Sequence, residues 1–219
     1  MALVIGNKTA NLGVPAASSQ TFLHTQDSGT DRHLFIMIQM SDVVTISGVT
    51  YNGVSMTEIT STVTTTYGTR WAFYELDDPA IGSNNIVINF SSGQFNPVSA
   101  FVVSATGCGG PGNNIYDDTN TSPNSGTITV SANSVILAGL LAGNSVGHDI
   151  TLAGSSRTLE FTHNINIFTS GALSATGLSA GAKTVSVSAA TTTAGNYLEI
   201  TEAGGGGSGI AEGNWIIMF

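Results

Sequence analysis

The sequence predicts an all-β protein, an antiparallel β-sandwich of jelly-roll-like form. Three observations lead there. Charged residues make up 9% of the chain, against about 25% in an ordinary soluble domain. Ser, Thr and Asn take their place, and these side chains compete with a helical backbone for hydrogen bonds while suiting strands and turns. Finally, short apolar or alternating runs recur along the whole chain, each bounded by Gly, Asn, Asp, Ser or Pro. Glycine alone accounts for 27 of the 219 residues, where average usage gives about 15. A chain of this length can bury its own core and fits one large sandwich domain over 1–219.

The expected strands follow in order. Ala2–Ile5, Gln20–His24, His33–Met40, Val43–Ser47, Gly48–Tyr51 and Val54–Thr62 come first. Arg70–Leu76, Asn85–Phe90, Val98–Ala105, Thr127–Val130 and Ser134–Ala142 continue the series. Thr158–Phe161, Asn166–Phe168, Lys183–Ser188, Tyr197–Thr201 and Asn214–Phe219 complete it. His33–Met40 and Ser134–Ala142 are nearly continuous apolar runs, as expected of strands covered on both faces. Ile86–Phe90 and Thr184–Ser188 alternate, as half-exposed strands do. Asn52-Gly53 lies between two β-prone runs and supplies the pair of positive φ angles that a type I′ hairpin turn needs. Trp71, Phe73 and Tyr74 read as sandwich core. An internal echo suggests two matching halves: Ala80-Ile-Gly82-Ser-Asn-Asn-Ile86-Val-Ile88 resembles Leu178-Ser-Ala-Gly181-Ala-Lys-Thr184-Val-Ser-Val187. Two stretches lack a period: a long loop over 107–126, and a Gly-rich connection over 203–213 before the apolar Trp215–Phe219.

Charge narrows the function. Five Lys and Arg stand against fourteen Asp and Glu, a formal net charge of -9. The basic residues Lys8, Arg32, Arg70, Arg157 and Lys183 are scattered, so the chain offers no patch for nucleic acid or an anionic membrane. No run approaches the ~18 apolar residues of a membrane helix, and Met1–Lys8 lacks the features of a signal peptide. Synthesis in a cytoplasm without an export signal is the expectation. Cys108 is the only cysteine, so no intramolecular disulfide can form, and it is expected to be an inert structural thiol.

Several motifs of chemistry match in form and fail in context. Gly143-Asn-Ser145-Val-Gly147, with His148 and Asp149 beside it, fits a nucleophile elbow. That mechanism needs a helix directly after the serine, and His148–Gly154 reads as strand and turn. Downstream, Glu160 and His163 are the only acid–histidine pair on offer. Gly177-Leu-Ser179-Ala-Gly181 fails for the same reason. Gly107-Cys-Gly109-Gly-Pro-Gly112 satisfies G-x-G-x-x-G but has no helix N-terminus to receive a pyrophosphate. Asp117-Asp118-Thr-Asn120 clusters oxygen ligands without a calcium loop's full spacing. His24, His33, His148 and His163 show no zinc spacing. Catalytic residues, cofactor and metal are therefore all expected to be absent.

The order of segments resembles a β-sandwich family found in tailed-phage virions, as capsid decoration (cement) proteins, and as modules of bacterial surface proteins. The matching residues are Val49-Thr-Tyr-Asn-Gly-Val-Ser-Met-Thr57, Arg70-Trp-Ala-Phe-Tyr-Glu-Leu76, Pro79-Ala-Ile-Gly82 and Asn85-Ile-Val-Ile-Asn-Phe90. Ser99–Gly107, the Asn/Asp/Thr/Ser/Pro loop, Thr127–Val130 and Ser134–Leu137 follow, so the likeness spans roughly residues 30 to 200. The chain departs from that pattern at Gly107–Gly112 and Ala203–Gly213. What the resemblance implies is a jelly-roll-like sandwich in a virion, made in the host's cytoplasm, whose partners are the major capsid protein and copies of itself, a homotrimer being one form. The motifs carry no catalytic residues. Tyr116, Asp117, Asp118, Trp215 and Phe219 are candidates for partner contact. The alternative is a tail- or fibre-associated glycan-binding module, with an aromatic platform among Trp71, Tyr74, Tyr116, Tyr197 and Trp215.

Overall fold

A computed structural model describes residues 1–13, 18–41, 43–64, 68–92, 98–117, 124–143, 149–152, 157–164, 167–174, 177–188 and 193–204. Among them the chain is all-β and its sheets are antiparallel. The first half supplies β1 (Val4–Gly13), β2 (Ser19–Gln26), β3 (His33–Ser41), β4 (Ile46–Tyr51), β5 (Val54–Ser55), β6 (Thr57–Thr64), β7 (Thr69–Asp77), β8 (Gly82–Phe90) and β9 (Val98–Thr106). The second supplies β10 (Cys108–Asp117), β11 (Asn124–Val130), β12 (Val135–Gly143), β13 (Asp149–Leu152), β14 (Arg157–Asn164), β15 (Ile167–Ser174), β16 (Gly181–Ser188) and β17 (Thr193–Glu202).

The two halves repeat one topology. An inner sheet of order β1-β9-β3-β7-β6 faces an outer sheet β2-β8-β4-β5. In the second half the inner sheet runs β10-β17-β12-β15-β14 and the outer one β11-β16-β13. Each strand of the second half occupies the place of its counterpart, β10 for β1 through β17 for β9, and among the described residues the two-residue β5 has no equivalent. The pairs β1–β9, β2–β8 and β3–β7 nest inside one another, as do β10–β17, β11–β16 and β12–β15. This is the wrapped-hairpin logic of a jelly roll.

Four sheets stack, outer–inner–inner–outer, and burial follows the pleat. On β3, Leu34, Ile36, Ile38 and Met40 face the first outer sheet and pack with Val49, Tyr51, Ile86 and Ile88. Phe35 and Met37 point the other way, into a core shared with Val135, Leu137, Leu198 and Ile200 of the second inner sheet. On β12, Ile136 and Ala138 turn toward the second outer sheet, where Ile128, Val130 and Val185 are buried. Both apolar runs are therefore central strands covered on two faces, as their sequence predicts.

Strand register identifies equivalent positions. His33 pairs with Ala105 and Val135 pairs with Ile200, so His33 corresponds to Val135 and Ala105 to Ile200. Two residues before each strand lies a left-handed residue, Asp31 (φ 48°) and Asn133 (φ 61°). The echo in the sequence maps onto β8 and β16: Gly82 (φ 95°) and Gly181 (φ 112°) open them, and Ile86 and Val185 four residues on are buried.

The expected loop over 107–126 is corrected by the structure. Cys108–Asp117 forms β10, and β11 begins at Asn124. Its Gly-Gly-Pro-Gly sequence reads as a turn because β10 is an edge strand with two register shifts, the place where a sheet accepts proline and glycine. Val43–Ser47 forms no strand of its own, since β4 starts at Ile46 and shifts register before Gly48. Val54–Thr62 divides into β5 and β6. In the 203–213 connection, Ala203 and Gly204 form a turn beside Gly107, where Ala203 N–H donates to Gly107 O at 2.8 Å. The remainder, with Asn214–Phe219, lies outside the described residues.

Candidate functional site

Each predicted contact residue has a definite standing. Tyr116, near the end of β10, is half-buried against the shared core. Asp117 is the last residue of that strand. Asp118, Trp215 and Phe219 lie outside the described residues, as does Asn120 of the oxygen cluster. Of the five rings considered for a glycan platform, Trp71, Tyr74 and Tyr197 are buried. Burial and the Glu58 carboxylate, which accepts the Tyr74 hydroxyl at 2.7 Å, push that phenol's pKa up. An aromatic platform is thus not what these three rings make.

The motifs of chemistry resolve into strand and turn. Ser145 and His148 lie outside the described residues, while Asp149–Leu152 after them is strand β13. Gly177 and Gly181 both adopt positive φ, and Ser179 between them accepts the Lys183 ammonium at 2.8 Å. A strand follows there instead of the helix that a nucleophile elbow needs. Gly107–Gly112 runs straight into β10. Cys108 is buried, and burial above all pushes its thiol up to about 12, so it resists ionisation. His33 meets Glu75 at 2.6 Å (Nδ1 to Oε1) and stacks on Phe35. Among the described residues, no group of three or more His, Cys, Asp and Glu side chains is arranged to hold a metal ion.

Two carboxylate ties, one partly exposed and one buried, hold the equivalent corners of the halves. In the first, the Asp27 carboxylate accepts the backbone N–H of Asn7 at 2.6 Å and the Ser104 hydroxyl at 2.8 Å. In the second, Glu199 accepts the N–H of Asn113 at 3.0 Å and of Ser131 at 2.5 Å. Register makes Gly6-Asn7 equivalent to Gly112-Asn113, Asp27 to Ser131 and Ser104 to Glu199. Carboxylate and serine have changed strands while the tie persists. Both glycines make room for the tie, because a Cβ at Gly6 or Gly112 would land on the carboxylate and displace it. Their role is structural: each fixes the bulge of an edge strand.

A shallow groove of about 390 Å³ opens on the first outer sheet, lined by Leu23, Thr50, Asn52, Gly53, Ser83, Asn84, Asn85 and Val87. Three separate segments build it. The hairpin turn supplies Asn52 (φ 50°) and Gly53 (φ 77°), as their pairing predicts. The Asn52 N–H donates to Asn85 O at 2.9 Å, which ties that turn to β8. Beneath, the Tyr51 hydroxyl donates to Gly82 O at 2.7 Å, and Asn84 Nδ2 donates to the Tyr51 oxygen at 3.2 Å. The sequence singled out Asn52 and Gly53 as a turn. Asn84 and Asn85 gave no signal in a chain so rich in Asn. Compared with protein-family models, with curated proteins and with solved structures, the chain matches none.

Proposed function

We propose that the chain is a structural protein of a tailed-bacteriophage virion, a decoration or cement protein that stabilises the head. Its partners are the major capsid protein and further copies of itself, and its place is the virion, after synthesis in the host bacterial cytoplasm. No catalysis is assigned to it. One observation carries the reading: a four-layer stack whose two outer faces are nearly free of charge among the residues whose exposure is described. Thr21, Leu23, Thr25, Ser83 and Asn85 are exposed on one, and Thr127, Thr129, Ala182 and Thr184 on the other. Covering such faces with a neighbouring subunit avoids the several kcal/mol that desolvating an ion costs. Strands β1, β6, β10 and β14 are sheet edges, the geometry for pairing with another chain. The resemblance drawn from the sequence supports the same reading.

Negative-stain imaging of purified virions labelled with an antibody to this chain tests it. Label over the head is expected, and label confined to the tail tip would refute the head assignment. Light scattering after size-exclusion chromatography tests self-association: a stable trimer would favour assembly at a symmetry axis, and a clean monomer a protein that assembles only on its capsid. The tail-associated glycan-binding reading loses Trp71, Tyr74 and Tyr197 from its aromatic platform, but the Asn-lined groove favours it in one respect.

A further inference from the structure

We propose that the groove on the first outer sheet binds an uncharged saccharide. The inference is independent of where in a virion the chain sits. No charged side chain lines the groove, so an ionic ligand would give up hydration without finding a counter-charge. What does line it suits hydroxyl groups. An Asn amide both donates and accepts, as a sugar hydroxyl does, and Thr50 and Ser83 add two hydroxyls that do the same. The side-chain amides of Asn52 and Asn85 are exposed at the rim of the groove. Leu23, 60% exposed, and Val87 supply the apolar patch on which the C–H face of a pyranose can rest. A volume of about 390 Å³ falls within the range of small-ligand sites, roughly 300–1,000 Å³.

The groove is also set before any ligand arrives. Its floor and rim are tied by the Tyr51–Gly82, Asn84–Tyr51 and Asn52–Asn85 hydrogen bonds, so little ordering is left to binding. The strongest support is the other half of the molecule. Register places Thr127 where Leu23 stands, and Ala182, Lys183, Thr184 and Ser186 where Ser83, Asn84, Asn85 and Val87 stand. There the amides and the apolar patch are missing and a lysine appears. Among the described residues the same scaffold thus carries the constellation once, which a purely structural outer face does not require. A shallow site binds a single ring weakly, and many copies on one particle would raise the avidity.

The test is an NMR titration of the full chain with uncharged sugars: glucose, galactose, mannose and N-acetylglucosamine, with their short oligomers. The expected result is saturable shifts of the Asn52, Asn84 and Asn85 side-chain amides, with Thr127 and Thr184 unmoved. Asn85→Ala and Leu23→Asp are each expected to weaken binding about tenfold, the loss of one good contact, while Thr184→Ala leaves it unchanged. Both variants lie on the exposed face, and an unchanged spectrum elsewhere checks that they fold. No response from any of these sugars up to about 10 mM, far above a millimolar dissociation constant, would overturn the proposal. So would binding that maps elsewhere, survives Asn85→Ala, or is found only with sialylated or phosphorylated sugars. Antibody labelling of virions reads the structural role separately, so either reading can fail alone.

Discussion

The two inner sheets have the same strand order and meet face to face, yet they are built from different material. The first presents Phe35, Met37, Trp71, Phe73 and Phe101 to the contact. At the register-equivalent positions the second has Leu137, Gly139, Thr169, Gly171 and Asn196. Sheets pack about 10 Å apart, which leaves no room for two layers of large side chains. At the centre of the contact the first sheet therefore fills the space that Gly139 vacates, while Val135, Leu137, Leu198 and Ile200 of the second close the core around it. A Cβ at Gly139 would sit 2.5 Å from the Met37 sulfur and within the Trp71 ring. Asn196, fully buried, reaches across to Thr62 Oγ1 at 3.5 Å. Like topologies can stack back to back only when their side chains are unlike.

The largest expected effect is at this contact. Trp71→Ala should cost about 4 kcal/mol, the range for deleting a fully buried large aromatic, as read from urea denaturation. A value below 1 would mean that the ring is not packed between the sheets.

The outer sheets differ in the opposite sense. Three of the four inward positions on β2 are polar, with Gln20, His24 and Gln26 buried beside Phe22, whereas Ile128 and Val130 hold the places of His24 and Gln26 on β11. The Thr9 hydroxyl lies 2.8 Å from His24 Nδ1, while His24 Nε2, Gln20 Oε1 and Gln26 Oε1 have no partner among the described residues. Burial, partly opposed by Asp27, lowers the His24 pKa from 6.5 to about 4. As pH falls, the unfolded chain takes up this proton first. The contribution is complete above about pH 6.5 and is lost as pH falls toward about 4, some 3 kcal/mol in all. Denaturation curves from pH 7 to 4 should show the loss, and His24→Leu should reduce it. A slope that the substitution leaves unchanged would place the acid sensitivity elsewhere.

The two carboxylate ties sharpen the comparison further. Glu199 is buried where Asp27 is only partly so. Glu199→Ala strands two backbone donors and should cost about 3 kcal/mol, against about 1 for Asp27→Ala. Equal costs would show that burial does not separate them. Smallest is the pair Gly82→Ala and Gly181→Ala. A Cβ meets nothing within 4 Å at either site, so left-handed strain alone remains, about 1 kcal/mol at each. Unequal values would mean that the two turns are less alike than their φ angles.

Much of the fold was legible in the sequence because pleated strands write their burial as alternation. Ile86–Phe90 and Thr184–Ser188 announced half-exposed strands, and His33–Met40 and Ser134–Ala142 announced strands covered twice. Gly82 and Gly181 disclosed the repeat, since each opens its strand with a left-handed turn. Strand β10 was hidden, because an edge strand tolerates the Gly and Pro that elsewhere mark loops. The ties were hidden for another reason: carboxylate and serine trade strands between the halves, so no motif repeats along the chain. The groove was illegible because it draws single residues from β2, from the β4–β5 turn and from β8. Tyr116 and Asp117 were placed at the end of β10, away from the residues that line it.

The central claim is that the bulk of one inner sheet fits the glycines of the other, and a double-mutant cycle tests it most directly. Urea denaturation of the unaltered chain, Trp71→Ala, Gly139→Leu and the double variant gives the coupling between the two positions. Gly139→Leu alone should destabilise by about 3 kcal/mol through overpacking. With the indole gone, the leucine should fill the space, so the double variant should be more stable than the sum of the single losses by at least about 1 kcal/mol. Strictly additive losses would contradict the account, because they would mean that Trp71 and Gly139 do not share one contact.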